Sequence, residues 1–102
     1  MTEIHRILLA DDHALLRQGL RLIIEREADL QVIAEAEDGR EAIVQAVEHQ
    51  PDLAIVDVTM PLMNGLSVAR ELRKRLPSVR ILMLSMHDNE EFFFEALRAG
   101  AD

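Results

Sequence analysis

A doubly wound α/β fold, with a parallel sheet carrying helices on both faces, is predicted by two observations. Four apolar runs of strand length alternate with four stretches of helical period, joined by short connections. The runs also differ in character: the first and third are continuously apolar, as central strands buried on both faces are, whereas the second alternates like a half-exposed edge strand.

The strand candidates are Ile7 to Ala10, Val32 to Ala36, Leu53 to Val56 and Ile81 to Leu84. In the second, Val32, Ala34 and Ala36 are set against Gln31, Glu35 and Glu37. The first helix is expected over about Ala14 to Glu27, with Leu16, Leu20, Ile23 and Ile24 on the inner face and Arg17, Arg21 and Glu25 on the outer. A capping-box spacing, Asp38 to Glu41, opens the second helix, which turns Ala42, Ile43, Ala46 and Val47 inward. The third helix spans roughly Gly65 to Leu76, buries Leu66, Ala69 and Leu72, and is stopped by Pro77. Asp88 to Glu91 repeats the capping spacing at the start of a fourth helix ending at Gly100. The fourth run, Ile81-Leu82-Met83-Leu84, is as apolar as a central strand, yet no later strand follows to cover its outer edge. On this reading residues 1–102 are one domain that stops short of completion at its C-terminal side.

Composition excludes several functions. The chain has no Cys, which removes disulfides, thiol nucleophiles and thiolate metal sites. It has no signal peptide and no long apolar span, so a cytoplasmic chain without membrane contact is expected. A net charge of −8 and the lack of a basic stripe argue against direct nucleic-acid contact by this segment.

In an open parallel sheet, ligands bind beyond the carboxyl ends of the strands. The first strand ends in Asp11-Asp12, the third in Asp57 and the fourth in Ser85. Singly, each has a plain structural reading: aspartates cap helices, and a hydroxyl after a strand begins a turn. Jointly, three carboxylates converge on one crevice, where like charges repel unless a cation neutralises them. A hard, oxygen-seeking ion such as Mg²⁺ suits that donor set, and would bring a phosphoryl donor to Asp57, the candidate nucleophile.

The segments Leu9-Ala10-Asp11-Asp12-His13, Ile55-Val56-Asp57-Val58-Thr59-Met60-Pro61-Leu62-Met63-Asn64-Gly65, Leu84-Ser85-Met86-His87-Asp88 and Ala96 to Asp102 resemble response regulator receiver domains, in order and spacing, over the whole chain. Their wording is similar to the NarL/FixJ type, whose members usually carry a DNA-binding helix-turn-helix after the receiver. The resemblance implies a flavodoxin-like, CheY-like sheet of order 2-1-3-4, with the fifth strand and helix absent from this chain. It implies Asp57 as phosphoacceptor, Asp12 as direct Mg²⁺ ligand, Asp11 acting through water, the Thr59 carbonyl completing the metal site and Ser85 as switch hydroxyl. It further implies a sensor histidine kinase as partner, and an output domain that regulates transcription. The chain is then a phosphoacceptor that assists its own phosphotransfer and dephosphorylation, and not an enzyme acting on a separate substrate.

The family's aromatic switch residue and Lys lie beyond the Gly-Ala-Asp at residue 102. The only Lys, Lys74, falls on the order of 14 Å from the site by helical rise and is not expected to substitute, so metal binding should survive better than phosphorylation. An uncovered fourth strand and first helix lead to an expected homodimer or swapped oligomer. Haloacid-dehalogenase-type phosphatases also use an Asp after a central strand, but carry a second acid two residues on, where this chain has Thr59. Glycines 19, 39, 65 and 100 form neither a dinucleotide fingerprint nor a P-loop. An incomplete receiver acting purely as an interaction module would show no saturable stabilisation by Mg²⁺. His5, His13, His49 and His87 lack a ligand-like spacing and read as solvated or capping. Phe92, Phe93 and Phe94 cannot all face the core.

Overall fold

The computed structural model describes residues 3–58, 60 and 64–84. The elements run β1 (His5–Ala10), α1 (Ala14–Ile24), β2 (Leu30–Ala36), α2 (Gly39–His49), β3 (Leu53–Asp57), α3 (Gly65–Arg75) and β4 (Arg80–Leu84). All strand pairings are parallel, and the order is β2-β1-β3-β4. Parallel neighbours need crossover connections, which the helices supply. The expected fourth helix, with Phe92, Phe93 and Phe94, lies outside the described residues, as do Thr59 and Ser85.

Because successive strand residues face opposite sides, β1 contributes to two cores. Leu8 and Ala10 join Ala54, Val56 and Ile81 beneath α2 and α3, which bury Ala42, Ala46, Leu66, Val68, Ala69 and Leu72 there. Ile7 and Leu9 join Val32 and Ile55 on the other face, where Leu20 and Ile24 of α1 pack. The larger core therefore lies under two helices and the smaller under one.

Four details depart from the sequence-based expectation. The register of β2 on β1 shifts between Ile7 and Leu8, whose partners are Val32 and Ala34, so Ile33 is the extra residue of a bulge. Val32 thus faces the α1 side while Ala34 and Ala36 face the α2 side; strict alternation had put all three together. Secondly, α1 ends at Ile24 rather than Glu27, because Arg26 and Glu27 donate to Ile23 and Ile24 three residues back and tighten the chain into turns.

Thirdly, the buried face of α1 is rotated. Ile23 is 60% exposed and Leu16 39%, whereas the Arg17 side chain is only 13% exposed. Ion pairs accompany the rotation: Arg17 Nε donates to Glu35 Oε1 at 2.9 Å, and Arg21 bridges Glu25 and Glu35. Glu25 and Glu35 together hold the Arg21 guanidinium above its usual pKa. Glu25 also accepts the Val32 N–H at 3.1 Å, beside the bulge. Finally, Val47 of α2 is exposed rather than inward, since the small residues Ala42 and Ala46 make the contact with the sheet. Apolar β4 is the sheet edge among the described strands, with Leu82 exposed.

The expected cap of α2 forms, the one expected at Asp88 lies outside the described residues, and α3 carries a cap that the sequence reading did not name. Asp38 Oδ1 accepts from the Glu41 N–H at 2.8 Å, and Asn64 Oδ1 caps α3 by accepting from Ser67 N–H at 3.0 Å. Asp38→Ala should therefore lower stability by about 1 kcal/mol, read as a shift in the urea midpoint with an unchanged slope.

Candidate functional site

β1 and β3 are adjacent and parallel, so their carboxyl ends lie side by side. Asp11 follows β1 directly, its N–H donating to the Ala36 carbonyl of β2 at 3.0 Å, and Asp57 is the last residue of β3. Both are buried, at 1% and 5% exposure, while the Asp12 side chain is 31% exposed. Asp11, Asp12, His13 and Asp57 each offer a ligand atom, and those four atoms lie within 4.8 Å of one another. The three acids read from the sequence are thus brought together; Thr59 and Ser85 lie outside the described residues.

Hydrogen bonds fix the cluster. Asp11 Oδ1 accepts the His13 backbone N–H at 2.8 Å, which turns the chain from β1 into α1. Arg17 Nη1 donates to the Asp11 carbonyl at 2.6 Å. Beyond β3, Val58 N–H donates to the Leu84 carbonyl and Gly65 N–H to the Val58 carbonyl, both at 2.9 Å, so the start of α3 is drawn against the strand end.

Two participants escaped the sequence reading. His13, expected to be solvated or capping, is the N-cap of α1 but makes no side-chain cap bond. Its Nδ1 instead lies 3.1 Å from Asp12 Oδ1 and 3.3 Å from Asp11 Oδ1. Arg17 was assigned to solvent by helical periodicity alone, and only the strand order shows that it faces both Asp11 and Glu35. Lys74 sits in the last turn of α3 with its Nζ 3.9 Å from Glu71, so its nearest charge partner is on its own helix. The Arg75 guanidinium beside Glu71 holds that carboxyl below its usual range.

Chemically, two buried carboxylates and a third at the rim form an oxygen-rich donor set that could hold a hard divalent cation. Without one, their mutual repulsion strains the fold. Asp11→Asn keeps a carbonyl oxygen for the His13 N–H but removes one buried charge. It should raise metal-free stability by about 1 kcal/mol, or roughly 4–8 °C in Tm, in a thermal melt with EDTA. A lower Tm would show that Asp11 charge stabilises the fold.

Residues 7–102 match the response regulator receiver domain family. The chain belongs to that family. As a receiver domain it is 38% identical over 96 residues to the transcriptional regulatory protein DegU of Brevibacillus brevis, covering 94% of this chain and 41% of that protein. It is 41% identical over 97 residues to the oxygen regulatory protein NreC of Staphylococcus haemolyticus, covering 94% of this chain and 45% of that one. This receiver thus spans less than half the length of these curated relatives. Among solved structures, a LuxR-family two-component response regulator from Aurantimonas sp. SI85-9A1 superposes with a TM-score of 0.93 at 38% identity, covering 97% of this chain and 71% of that one. The expected receiver fold and sheet order hold, and the dehalogenase and nucleotide-binding alternatives fall away. No described helix of the receiver is long and apolar enough to cross a membrane.

Proposed function

We propose that this receiver accepts a phosphoryl group on Asp57 from a sensor histidine kinase, in a Mg²⁺-dependent reaction that switches a transcription-regulating output. The observation that carries the reading is the convergence of buried Asp57 with Asp11 and Asp12 at the ends of adjacent strands. A carboxylate oxygen of Asp57 attacks the phosphorus, the bond from phosphorus to the donor breaks with its electron pair leaving on the donor, and an acyl phosphate forms. Asp12 and Asp57 would hold Mg²⁺, with the Thr59 carbonyl completing the site and Asp11 acting through water. Bound there, the ion would supply positive charge to neutralise the transferring phosphoryl oxygens. Arg17 and the His13 N–H keep Asp11 in place for that task. The Ser85 hydroxyl then moves to a phosphoryl oxygen and signals occupancy to the rest of the protein.

The output is proposed from the relatives, one of which is a transcriptional regulatory protein and one a LuxR-family regulator. With a net charge of −8, this segment leaves DNA contact to a separate helix-turn-helix domain. Asp57 is regenerated when the acyl phosphate hydrolyses, so the receiver is a phosphoacceptor that assists both steps. Incubation with acetyl phosphate and Mg²⁺, followed by intact mass measurement, tests the proposal. A gain of one phosphoryl group, absent in EDTA, is expected. No metal-dependent gain, either in this chain or in one extended through the family's fifth strand and helix, would overturn it.

A further inference from the structure

We infer that the His13 imidazole is an additional ligand of this metal site, through Nδ1, and that the site takes divalent transition ions such as Ni²⁺ more tightly than its oxygen donors alone would. The inference rests on the metal-binding reading of Asp11, Asp12 and Asp57 given above.

Three observations support it. Nδ1 lies 3.1 Å from Asp12 Oδ1 and 3.3 Å from Asp11 Oδ1. Neighbouring donors around an octahedral ion with bonds of ~2.1 Å stand ~3 Å apart, so the spacing is that of adjacent ligands on one ion. His13 also contributes a ring nitrogen to the group of four ligand atoms, one of them from Asp57, that lie within 4.8 Å of one another. The ring is therefore directed at the cluster as a whole and not at a single acid.

The imidazole is also free of a helix-capping duty. His13 is the N-cap of α1 with extended backbone (φ −93°, ψ 102°), yet its side chain makes no cap bond. Its backbone is tied to the site by the N–H bond to Asp11 Oδ1, so the ring is held at the cluster rim. Its side chain is 68% exposed, which leaves it accessible to an arriving hydrated cation.

Ligand chemistry then sets the selectivity. Mg²⁺ takes oxygen donors and gives up water reluctantly, so an imidazole adds little to its binding. Imidazole suits Zn²⁺, Cu²⁺ and Ni²⁺, and affinity for a mixed nitrogen and oxygen site rises along the transition series. A neutral ring coordinating through Nδ1 carries its proton on Nε2.

The test is calorimetric titration of untagged protein with MgCl₂ and with NiCl₂ at pH 8, on the parent chain, His13→Asn and Asp12→Asn. Asn is a favoured N-cap residue, so the first variant keeps the start of α1. Because His5, His49 and His87 are further imidazoles that can bind Ni²⁺, the quantity read is the Ni²⁺ binding displaced by excess Mg²⁺. His13→Asn is expected to weaken that component by at least about tenfold while leaving Mg²⁺ affinity unchanged. Unchanged Ni²⁺ affinity would overturn the inference and leave the metal site standing. So would a rise in affinity for both ions, which would make the ring a hydrogen-bonding competitor of the metal. An equal loss for both ions would also overturn it, by making His13 a structural support. If Asp12→Asn leaves both affinities unchanged, the metal-binding reading itself fails, and the inference with it.

Discussion

Asp57→Asn is expected to abolish the phosphoryl gain with acetyl phosphate and Mg²⁺ completely, with no loss of fold. The carboxamide has nearly the shape of the carboxylate but is not a usable nucleophile, so the acyl phosphate cannot form. The fold should persist because Asp57 is placed by its backbone: it is the last residue of β3, paired in register with Leu84 of β4. Its side chain is 5% exposed beside Asp11 and Asp12, so removing its charge also relieves repulsion in the metal-free state. Far-ultraviolet circular dichroism should match the parent, and Mg²⁺ should no longer raise the Tm by the amount seen for the parent chain. A variant that still gains one phosphoryl group would place the acceptor at another residue and remove the central claim of the proposed mechanism.

What could be read from the sequence follows from how local each feature is. Strand candidates at Ile7, Leu53 and Ile81 are short apolar runs, and their period and boundaries need no tertiary information. The Asp38 cap is set by a three-residue spacing and forms as expected. The acids at 11, 12 and 57 were found because the strand-end rule for parallel sheets converts sequence position directly into place. The bulge at Ile33 was not legible: Val32, Ile33 and Ala34 are all apolar, so a one-residue slip in pairing among them leaves no mark in the pattern. Nor was the rotation of α1. Periodicity weighs Arg17 as a surface residue, but Glu35 across the β2 edge and the Asp11 carbonyl together offer it more than solvent does. His13 is hidden by local geometry instead, since its partners are its two preceding residues. Only the turn out of β1 brings its ring back over them.

Gly65→Ala is expected to be the most destabilising single-methyl change, although Gly65 begins a helix and Ala is the better helix former. A Cβ at position 65 would stand 2.8 Å from Val58 Cα and 2.9 Å from the Asp57 carbonyl carbon, with the Asp57 carbonyl oxygen closer still. All three are backbone atoms of the strand end that carries Asp57, so no side chain can swing aside to admit the methyl. α3 must instead move off β3, breaking the bond from Gly65 N–H to the Val58 carbonyl and loosening Leu66, Val68 and Leu72 in the larger core. Overpacking of this kind costs about 3 kcal/mol, or roughly 12–24 °C in Tm for a domain of this size, and phosphorylation of Asp57 should slow with it. Gly19→Ala is the control that isolates the cause. Gly19 lies mid-way along α1, and its added Cβ would meet nothing within 4 Å. There the helix propensity of Ala acts alone and should raise stability by about 0.5–1 kcal/mol. Opposite signs for the same methyl group in paired urea titrations would identify the close approach of α3 to Asp57 as a steric requirement of the site. A neutral Gly65→Ala would mean that α3 can withdraw from the strand end at no cost.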